Sequence, residues 1–479
     1  MATCSRVATM GSLFDVVAIG PKDLCRLIFR VLPKLLLDLP VSLMKKFRKN
    51  KHFQPPLIEP ETAVGTLPEL TQAVLMDIFA TLEIPDLRRA GAVCSSWRSA
   101  YTCLRDLGRY KQSQTPCLLY TSRRAGENVA FLYSLVENRT YNLTLPELPI
   151  RRRFMIGSSN GWLITVDERS KLHLVNPITS EQVALPSVIS IEQVKPITNG
   201  SGIIKKCKLS CYTGQKYYNT STICALNKLR EKLYFKAFVF RDPCTGSYFV
   251  VLIHHPLFQL SFTRAGDDKW TWLPQKTGYR DCMYMDGLLY ALTAYGEIDA
   301  FDLTASTVGM KVIMDEIQPY IIGFKSWYMI WTPWGDLLQV WRTFSVPEQE
   351  DEDGDAPETG RTVHQPSFCT TEVTVYKVDL KAKELVETKS LSKHILFLGH
   401  NNSLCLSADE HPQLKPNHAY FTDDRSEPTS ALKTVPRDIG VLDMKNSSTK
   451  KIASPIWSNC PCPTWITPNL TKMNLAFSK

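Results

Sequence analysis

At 479 residues the chain has room for two or three domains, and its 44% hydrophobic and 22% charged residues are typical of ordinary globular proteins. Its formal net charge of +9 is uneven, since residues 1–52 carry ten Lys/Arg against three Asp, and the remainder carries only about +2. A basic balance confined to one end argues against a nucleic-acid-binding core.

Fourteen cysteines raise the question of disulfides or zinc. The close pairs Cys207/Cys211 and Cys460/Cys462 lack the second pair of ligands that a zinc site requires. We expect no secretory signal, and within residues 1–66 no uncharged run approaches the roughly 20 residues that span a bilayer. We therefore expect a reduced protein of the cytoplasm or nucleus, with no transmembrane segment, no metal and no cofactor.

Residues 1–66 are predicted to form a basic arm and a linker. Lysine and arginine recur at helical spacing on one side and apolar residues on another, interrupted by Pro33 and Pro40. Four interpretations remain open: a loosely ordered arm, a membrane-surface helix, an organelle transit peptide, and a nuclear signal in residues 45–51. The acids and prolines of the arm count against the transit peptide.

Residues 67–110 have the spacing of short helices. Apolar residues recur at i, i+3 and i+4 from residue 70 to residue 82, the pattern of a helix with one buried face. Pro85 ends this helix, and Asp86 caps a second helix that carries Leu87 and Trp97. Residues 101–110 add a third helix or a tight connection. Such short helices cannot cover so many large apolar groups, so the rest of the chain or another protein must cover them.

From residue 111 to residue 479 the pattern changes to short strands divided by Gly, Asn, Asp and Pro. A turn followed by an apolar strand begins near residues 160, 286, 334 and 401, and a strand–turn–strand unit begins near residues 172, 298, 373 and 439. Repeats of roughly 40–50 residues predict a β-propeller of about six or seven blades, with a β-sandwich as the alternative. The acidic insertion near 347–366 is expected to be a disordered, solvated loop, with partner binding as the alternative.

No catalytic residue is predicted. Residues 157–161 match the Gly-x-Ser-x-Gly pattern of hydrolases, in which the serine stands on a strand-to-helix turn. Strand-like residues follow here, so a β-turn is the expected structure. Four residues with metal-binding side chains lie close in sequence without the spacing of a common site: His400, Cys405, His411 and His418. Six tryptophans are candidates for blade core or for a ligand groove: Trp270, Trp272, Trp327, Trp331, Trp334 and Trp341.

The helical segment resembles an F-box, the module with which substrate receptors of cullin–RING ubiquitin ligases hold a Skp adaptor. The resemblance rests on Ile78-Phe79, Leu82, Pro85-Asp86-Leu87 and Val93-Cys94-Ser95-Ser96-Trp97-Arg98. The sequence departs from the family pattern at its start. Thr71 stands where proline is usual, Ala73 stands where an acid is common, and Leu67-Pro68-Glu69 lies one helical turn too far upstream. Because Thr71 can still cap the helix, the fold is expected to survive, while the strength of adaptor binding stays open.

The C-terminal half resembles the C-terminal domain of a large plant F-box family, which is described as a β-propeller. Three strings carry this resemblance in order: residues 396–408, which include Gly399-His400-Asn401-Asn402-Ser403, residues 414–424, which include Pro416-Asn417-His418, and residues 461–468, which include Thr464-Trp465-Ile466. Both resemblances together cover roughly residues 67–479. They suggest a plant protein.

These resemblances imply an α+β multidomain chain with a small all-α F-box at 67–110 and an all-β propeller at 111–479. Nine residues are the candidates for adaptor binding, although some must instead anchor the module: Leu70, Val74, Leu75, Ile78, Phe79, Leu82, Pro85, Leu87 and Trp97. The chain would be a non-catalytic substrate receptor that binds the Skp adaptor, and through it a cullin, while the propeller binds an unknown target protein. The alternative is a propeller that binds or sequesters a partner such as a kinase, without a ligase.

Overall fold

The computed structural model describes most of the chain from residue 70 onward. The described ranges are 70–145, 149–213, 217–304, 308–317, 324–345, 369–424, 437–452, 457–458, 461–471 and residue 473. The predicted basic arm 1–66, the string Leu67-Pro68-Glu69 and the acidic insertion near 347–366 lie outside the described residues. The chain divides into two compact units, Met1–Gln114 and Thr115–Lys479, and the predicted boundary at residues 110 and 111 stays a prediction.

The first unit contains three helices in its described part. They are α1 (Gln72–Phe79), α2 (Ile84–Ala90) and α3 (Ser95–Asp106). Thr71 occupies the N-cap position of α1, but its side chain makes no capping hydrogen bond. Thr71 therefore has the extended backbone conformation of an N-cap residue, but the predicted capping by its side chain is not observed.

The helix boundaries correct the sequence prediction at two places. Pro85 does not end the first helix but lies in the first turn of α2, which begins at Ile84 after the N-cap residue Glu83. Proline is favourable there because the first N–H groups of a helix have no intrahelical partner. The predicted second helix also does not continue to Trp97. Residues 91–94 separate α2 from α3, and Trp97 belongs to α3.

The second unit is built of short strands. The first fourteen are β1 (Cys117–Tyr120), β2 (Val129–Ser134), β3 (Arg139–Thr144), β4 (Phe154–Ser159), β5 (Trp162–Val166), β6 (Leu172–Val175), β7 (Gln182–Ala184), β8 (Val194–Thr198), β9 (Ile204–Tyr212), β10 (Tyr217–Ala225), β11 (Tyr234–Arg241), β12 (Tyr248–His254), β13 (Gln259–Arg264) and β14 (Thr271–Leu273). One helix, α4 (Leu226–Leu233), connects β10 to β11, and single 3₁₀ turns occur at Ile150–Arg152 and Val188–Ser190.

The second half of this unit continues in the same way. Its strands are β15 (Tyr279–Met285), β16 (Leu288–Thr293), β17 (Ile298–Phe301), β18 (Met310–Met314), β19 (Phe324–Trp331), β20 (Leu337–Ser345), β21 (Cys369–Asp379), β22 (Glu384–Glu387), β23 (His394–Leu398), β24 (Leu404–Ser407), β25 (His418–Phe421), β26 (Gly440–Asp443), β27 (Ser448–Lys451) and β28 (Thr464–Ile466).

In the described ranges these strands form seven sheets. Four sheets consist of four consecutive antiparallel strands: β4 to β7, β11 to β14, β15 to β18 and β19 to β22. A fifth sheet has the order β24-β23-β25-β26-β27, in which β23 and β25 are parallel. The sixth sheet combines the two ends of this unit in the order β28-β1-β2-β3, and the seventh is a three-stranded sheet of order β10-β9-β8. The prediction of a largely β body is confirmed.

The predicted turn and strand repeats correspond to hairpins in these sheets. The turns near residues 160, 286, 334 and 401 each join two antiparallel neighbours, and the four strand–turn–strand units are β6/β7, β17/β18, β21/β22 and β26/β27. At Asn160-Gly161 and Asp286-Gly287 both turn residues have positive φ, between 51° and 81°. Such two-residue turns match the right-handed twist of the strands, and they favour Asn-Gly and Asp-Gly.

The last strand completes the sheet of the first strands. β28 pairs with β1 in antiparallel register, Cys117 opposite Ile466 and Leu118 opposite Trp465. Trp465 is fully buried, and its ring lies 5.3 Å from the ring of Phe397 in the neighbouring five-stranded sheet. The two ends of the second unit are thus held by backbone pairing and by a shared apolar core.

Candidate partner-binding surface

Helix α1 has one apolar side that is buried. Leu75 and Phe79, one helical turn apart, retain only 2% and 1% of their exposure. The ring of Phe79 meets the ring of Trp97 edge-on, with 5.3 Å between the ring centroids, so α1 and α3 pack through these two aromatic residues. Leu75 and Phe79 therefore hold the helical module together.

The N-terminus of α2 is fixed by polar contacts from residues that follow α3. The backbone N–H of Ile84 donates to Oε1 of Gln114 over 2.7 Å, and Nζ of Lys111 lies 2.5 Å from Oε1 of Glu83. Pro85 and Leu87 are buried beneath this connection. Their burial assigns both residues to the interior of the module.

The end of α2 lies very close to α3. A Cβ atom added at Gly91 would come within 2.7 Å of Cγ of Tyr101, which is closer than real Cβ contacts. Burial also lowers the pKa of the nearby Arg88 guanidinium below its usual value, an effect that the Tyr101 hydroxyl opposes. The three helices are therefore tightly packed on their inner sides.

Another side of α1 is apolar but uncovered. Leu70 and Val74 are 45% and 41% exposed, and Ile78 and Leu82 follow at further steps of four residues and are partly exposed. Val74 and Ile78 lie one turn apart on one face of α1, while Leu70 precedes its N-cap residue Thr71 and Leu82 follows its C-cap residue Ala80. We call Leu70, Val74, Ile78 and Leu82 the apolar row.

The structure thus divides the nine predicted residues into two groups. Leu75, Phe79, Pro85 and Leu87 are buried, whereas the apolar row and Trp97 retain exposed surface. The sequence could not make this division, because both groups share the same helical period. A contiguous exposed apolar surface on a small module is typical of a binding site for another protein.

The second unit contains a buried ion pair that links neighbouring sheets. Nζ of Lys236 in β11 lies 2.8 Å from Oδ1 of Asp281 in β15, and both side chains are almost fully buried. The other oxygen of Asp281 accepts a hydrogen bond from the backbone N–H of Met329 in β19 over 2.8 Å. Burial raises the pKa of Asp281, and the Lys236 ammonium opposes this shift. Three consecutive sheets therefore meet at one carboxylate.

A buried arginine makes a second such link. Arg342 in β20 donates to Oδ2 of Asp438 over 2.9 Å and to the carbonyl of Thr422 over 2.7 Å. Burial alone would lower the pKa of Arg342, but Tyr328, Asp424 and Asp438 nearby raise it above its usual value. The cation thereby connects the sheet of β19 to β22 with residues that flank β25 and β26.

These buried ions are residues that sequence reasoning missed. Lys236 interrupts an apolar run in β11, and Arg342 follows a tryptophan in β20, so a lone charge inside a strand was the available signal. The partners could not be found in the same way, because Asp281 is 45 positions and Asp438 is 96 positions away. Since both ions are paired and hydrogen-bonded, their environment is that of structural links between sheets.

The Gly-x-Ser-x-Gly match lies in a hairpin, as predicted. Ser159 is the last residue of β4, and its hydroxyl donates to the carbonyl of Val239 over 2.6 Å. Asn160-Gly161 then turns the chain directly into β5, without a helix. The serine pattern therefore has strand–turn–strand geometry, which differs from the strand-to-helix turn of a hydrolase nucleophile.

The histidines and cysteines of the C-terminal half are not brought together as a ligand set. Among the described residues no group of three His, Cys, Asp or Glu side chains has an arrangement that would hold a metal ion. Nδ1 of His411 instead lies 3.0 Å from the Thr115 hydroxyl, and none of the cysteines in the described part of the chain forms a disulfide. Among the helices in these ranges, none has the length and apolar character needed to cross a membrane.

The tryptophans fall into both predicted classes. Trp270, Trp327 and Trp341 are buried in the cores, while Trp334 is exposed and its ring contacts His394 with 3.9 Å between the centroids. Trp272 and Trp331 are partly buried. Trp331 packs against the core cluster that contains Trp327 and Trp341, so the blade-core interpretation applies to it as well.

Comparison with known proteins identifies the fold family. A family model described as the KIB1-4 beta-propeller matches residues 132–443, which is more than half of the chain. "F-box protein SKIP23" of Arabidopsis thaliana is 26% identical over 406 residues, covering 80% of this chain and 90% of that protein.

Two further similarities are more limited. "F-box only protein 7" of Arabidopsis thaliana is 25% identical over 248 residues, and the match spans 49% of this chain and only 58% of that protein. A solved structure of oligogalacturonate lyase in complex with manganese matches 68% of this chain and 70% of the other chain, at 12% identity and a TM-score of 0.27. We draw no conclusion about this chain from a match at this identity and TM-score. The chain belongs to the KIB1-4 beta-propeller family, and its recognition as a plant F-box protein with a C-terminal propeller is confirmed.

Proposed function

We propose that this chain is the substrate-recognition subunit of a Skp–cullin–F-box ubiquitin ligase. In this proposal the helices α1 to α3 bind a Skp-type adaptor, and through it a cullin, while the propeller binds the target protein. The chain itself supplies no catalytic group, because ubiquitin transfer belongs to its partners. The similarity to "F-box protein SKIP23" of Arabidopsis thaliana, which extends over 80% of this chain, supports the assignment.

The observation that supports this proposal most directly is the exposed apolar row along α1 and its two flanks. Leu70, Val74, Ile78 and Leu82 keep exposed surface. Full burial of such a side chain is worth about 1.5–3 kcal/mol, and covering the part that is still exposed would contribute a fraction of this to a complex. We propose that the apolar row and Trp97 contact the adaptor, and that Leu75, Phe79, Pro85 and Leu87 anchor the module.

We also propose the layout of the chain that this function needs. The F-box spans 67–110, and the propeller spans 111–479. Six of the described sheets serve as blades, with the pairing of β28 and β1 closing the ring. The three-stranded sheet β8 to β10 is an insertion between the blades that contain β4 and β11, since the core residues of β5 and β11 share one cluster.

A pull-down of the full chain with purified Skp adaptor tests the proposal. The double variant Val74→Asp/Ile78→Asp places charge in the apolar row, and we expect adaptor affinity to fall at least about tenfold, which corresponds to about 1.4 kcal/mol. Leu107→Asp is the matched control, because Leu107 is also an exposed apolar residue of the first unit but lies outside the row.

Two outcomes would contradict the proposal. Wild-type protein that retains no adaptor isoform would remove the adaptor role, and equal loss in both variants would remove the role of the row. Leu75→Ala is a different case, since loss of its buried side chain costs about 2–5 kcal/mol of stability. We expect that variant to lose adaptor binding only together with helical structure, which circular dichroism would report.

Thr71 favours a second candidate function, in which the propeller binds or sequesters a partner such as a kinase without a ligase. Its side chain makes no capping bond at the start of α1, where the F-box pattern has proline. If this candidate is correct, the chain binds its target but does not co-purify with any adaptor. Thr71→Pro would then be expected to restore adaptor binding if the missing proline is the cause.

A further inference from the structure

The three-stranded sheet has two unlike faces. In its central strand β9, Cys207 and Leu209 are buried, together with Val194 of β8 and Cys224 of β10. Because side chains alternate along a strand, the residues between them lie on the opposite face. On that face of β9 Lys206 is exposed and Lys208 is partly exposed, whereas Ser210 is buried.

The strand register arranges the exposed face in two rows. Ile223, Lys208 and Lys195 lie opposite one another across the three strands, and Ala225, Lys206 and Ile197 form the second row. Ile223 and Ile197 are 59% and 37% exposed, and Lys206 is exposed as well. We call these six residues the lysine–isoleucine face.

The charge of this face is of one sign. Its three charged residues, Lys195, Lys206 and Lys208, are all lysines. Lys195 and Lys208 are direct cross-strand neighbours, and like charges in such positions destabilise a sheet. Lys195 lies 3.6 Å from Glu192, whereas Lys206 and Lys208 form no ion pair within the described ranges. An acidic partner would relieve this repulsion.

The isoleucines define the partner further. The phosphates of a nucleic acid would pair with the lysines, but its apolar groups lie on the bases and not along the phosphate backbone, so contact through phosphates leaves Ile197 and Ile223 uncovered. The rows are two residues apart along the strands, about 7 Å, which is also the spacing of alternate side chains in an extended polypeptide. An extended segment with both acidic and apolar side chains therefore fits both the charges and the spacing. At the edge strand β8, Pro196 lacks an N–H with which to pair an added strand, which favours contact with the face over extension of the sheet at that edge.

We propose that the lysine–isoleucine face binds an acidic, extended segment of the target protein. This inference rests on the proposed role of the propeller as the target-binding part, and it specifies the chemistry of the target. The attraction between exposed charges is screened by salt, so binding weakens as the ionic strength rises.

Fluorescence anisotropy with the full chain tests this. The probe is a short fluorescein-labelled peptide in which glutamate and valine take turns at every second position with serine between them, so that both lie on one side of the extended chain. It is compared with a peptide of the same length that has lysine in place of glutamate, and with single-stranded DNA. We expect the glutamate–valine peptide to bind. The variants Lys206→Glu/Lys208→Glu and Ile197→Ser/Ile223→Ser should each weaken that binding at least about tenfold. Lys311→Glu is the control, because Lys311 is an exposed lysine in β18 of another sheet.

Adaptor pull-down of the same variants separates this inference from the proposed function. If adaptor binding is intact but wild-type protein does not bind the glutamate–valine peptide, or binds it equally after both double substitutions, the lysine–isoleucine face is not the site. Tighter binding of DNA that depends on Lys206 and Lys208 but not on Ile197 and Ile223 also overturns the inference. Loss of adaptor binding in wild-type protein would instead overturn the ligase role.

Discussion

Three histidines in the second unit are buried in a way that opposes protonation. Burial lowers the pKa of His254, His255 and His400 from 6.5 to about 4. For His255 the Arg280 guanidinium adds to the effect of burial, and for His400 Lys236 and Arg437 add to it while Asp423 and Asp424 oppose it. The folded protein therefore holds these imidazoles neutral at pH values where the unfolded chain binds protons.

This difference predicts that stability falls on acidification. Since the folded pKa lies below the unfolded value, each histidine contributes a loss of up to about 1.4 kcal/mol per pH unit as the pH decreases from about 6.5 to about 4. Urea unfolding at several pH values in this window measures the slope. The variant His400→Gln removes one of the three groups, so its free energy of unfolding should fall less steeply than that of the wild type. Equal slopes would contradict the assignment.

For buried ion pairs the sequence indicates the cation but not its partner. A lysine or arginine inside an apolar strand signals a buried cation, as at Lys236 and Arg342. Which carboxylate neutralises it depends on how the sheets are arranged, and Asp281 and Asp438 come from different sheets or their flanks. Local pattern contains no information on such pairs.

At the scale of elements, the junction of α2 and α3 depends on a missing side chain. Gly91 has an ordinary helical backbone conformation, so the backbone would tolerate alanine there. Because alanine lowers the conformational entropy of the unfolded chain, this change alone would stabilise the protein by about 0.4–1 kcal/mol. Its Cβ would, however, collide with Cγ and Cβ of Tyr101, which are not the flexible end of that side chain. Overpacking of this kind costs about 1–3 kcal/mol, so the collision decides the sign.

Gly91→Ala is therefore expected to loosen the helical module. Hydrogen exchange followed by mass spectrometry on peptides from α1 and α3 should show faster exchange than in the wild type. Gly200→Ala provides the comparison, since nothing lies within 4 Å of a Cβ added at Gly200. Slower or unchanged exchange in Gly91→Ala would mean that Tyr101 moves aside at little cost.

Hairpins could be predicted from the sequence where the residues of the turn determine its conformation. Asn160-Gly161 and Asp286-Gly287 adopt positive φ in two-residue turns, which is why those hairpins could be found from the sequence. The helix ends were less predictable. Pro85 is compatible both with the end of one helix and with the first turn of the next. In the structure α1 already ends at Phe79, and Pro85 lies in the first turn of α2.

At the scale of the whole molecule, the nine candidate residues illustrate the same limit. Periodicity placed them all on helices, but only packing showed that Leu75 and Phe79 face inward while Leu70 and Val74 do not. The lysine–isoleucine face was not predicted at all, because its two rows become visible only when the register of β8, β9 and β10 is known. The family resemblance, in contrast, could be recognised from short strings of residues.

The central claim is that one chain joins a Skp adaptor to a target through two separate surfaces. The most direct measurement is capture on an immobilised cullin of the full chain, with and without purified adaptor, for wild type, Val74→Asp/Ile78→Asp and Leu107→Asp. We predict that wild type and Leu107→Asp are retained only when the adaptor is present, and that the double variant is not retained. Failure of the wild type to reach the cullin with any adaptor isoform, or retention without one, would contradict the claim.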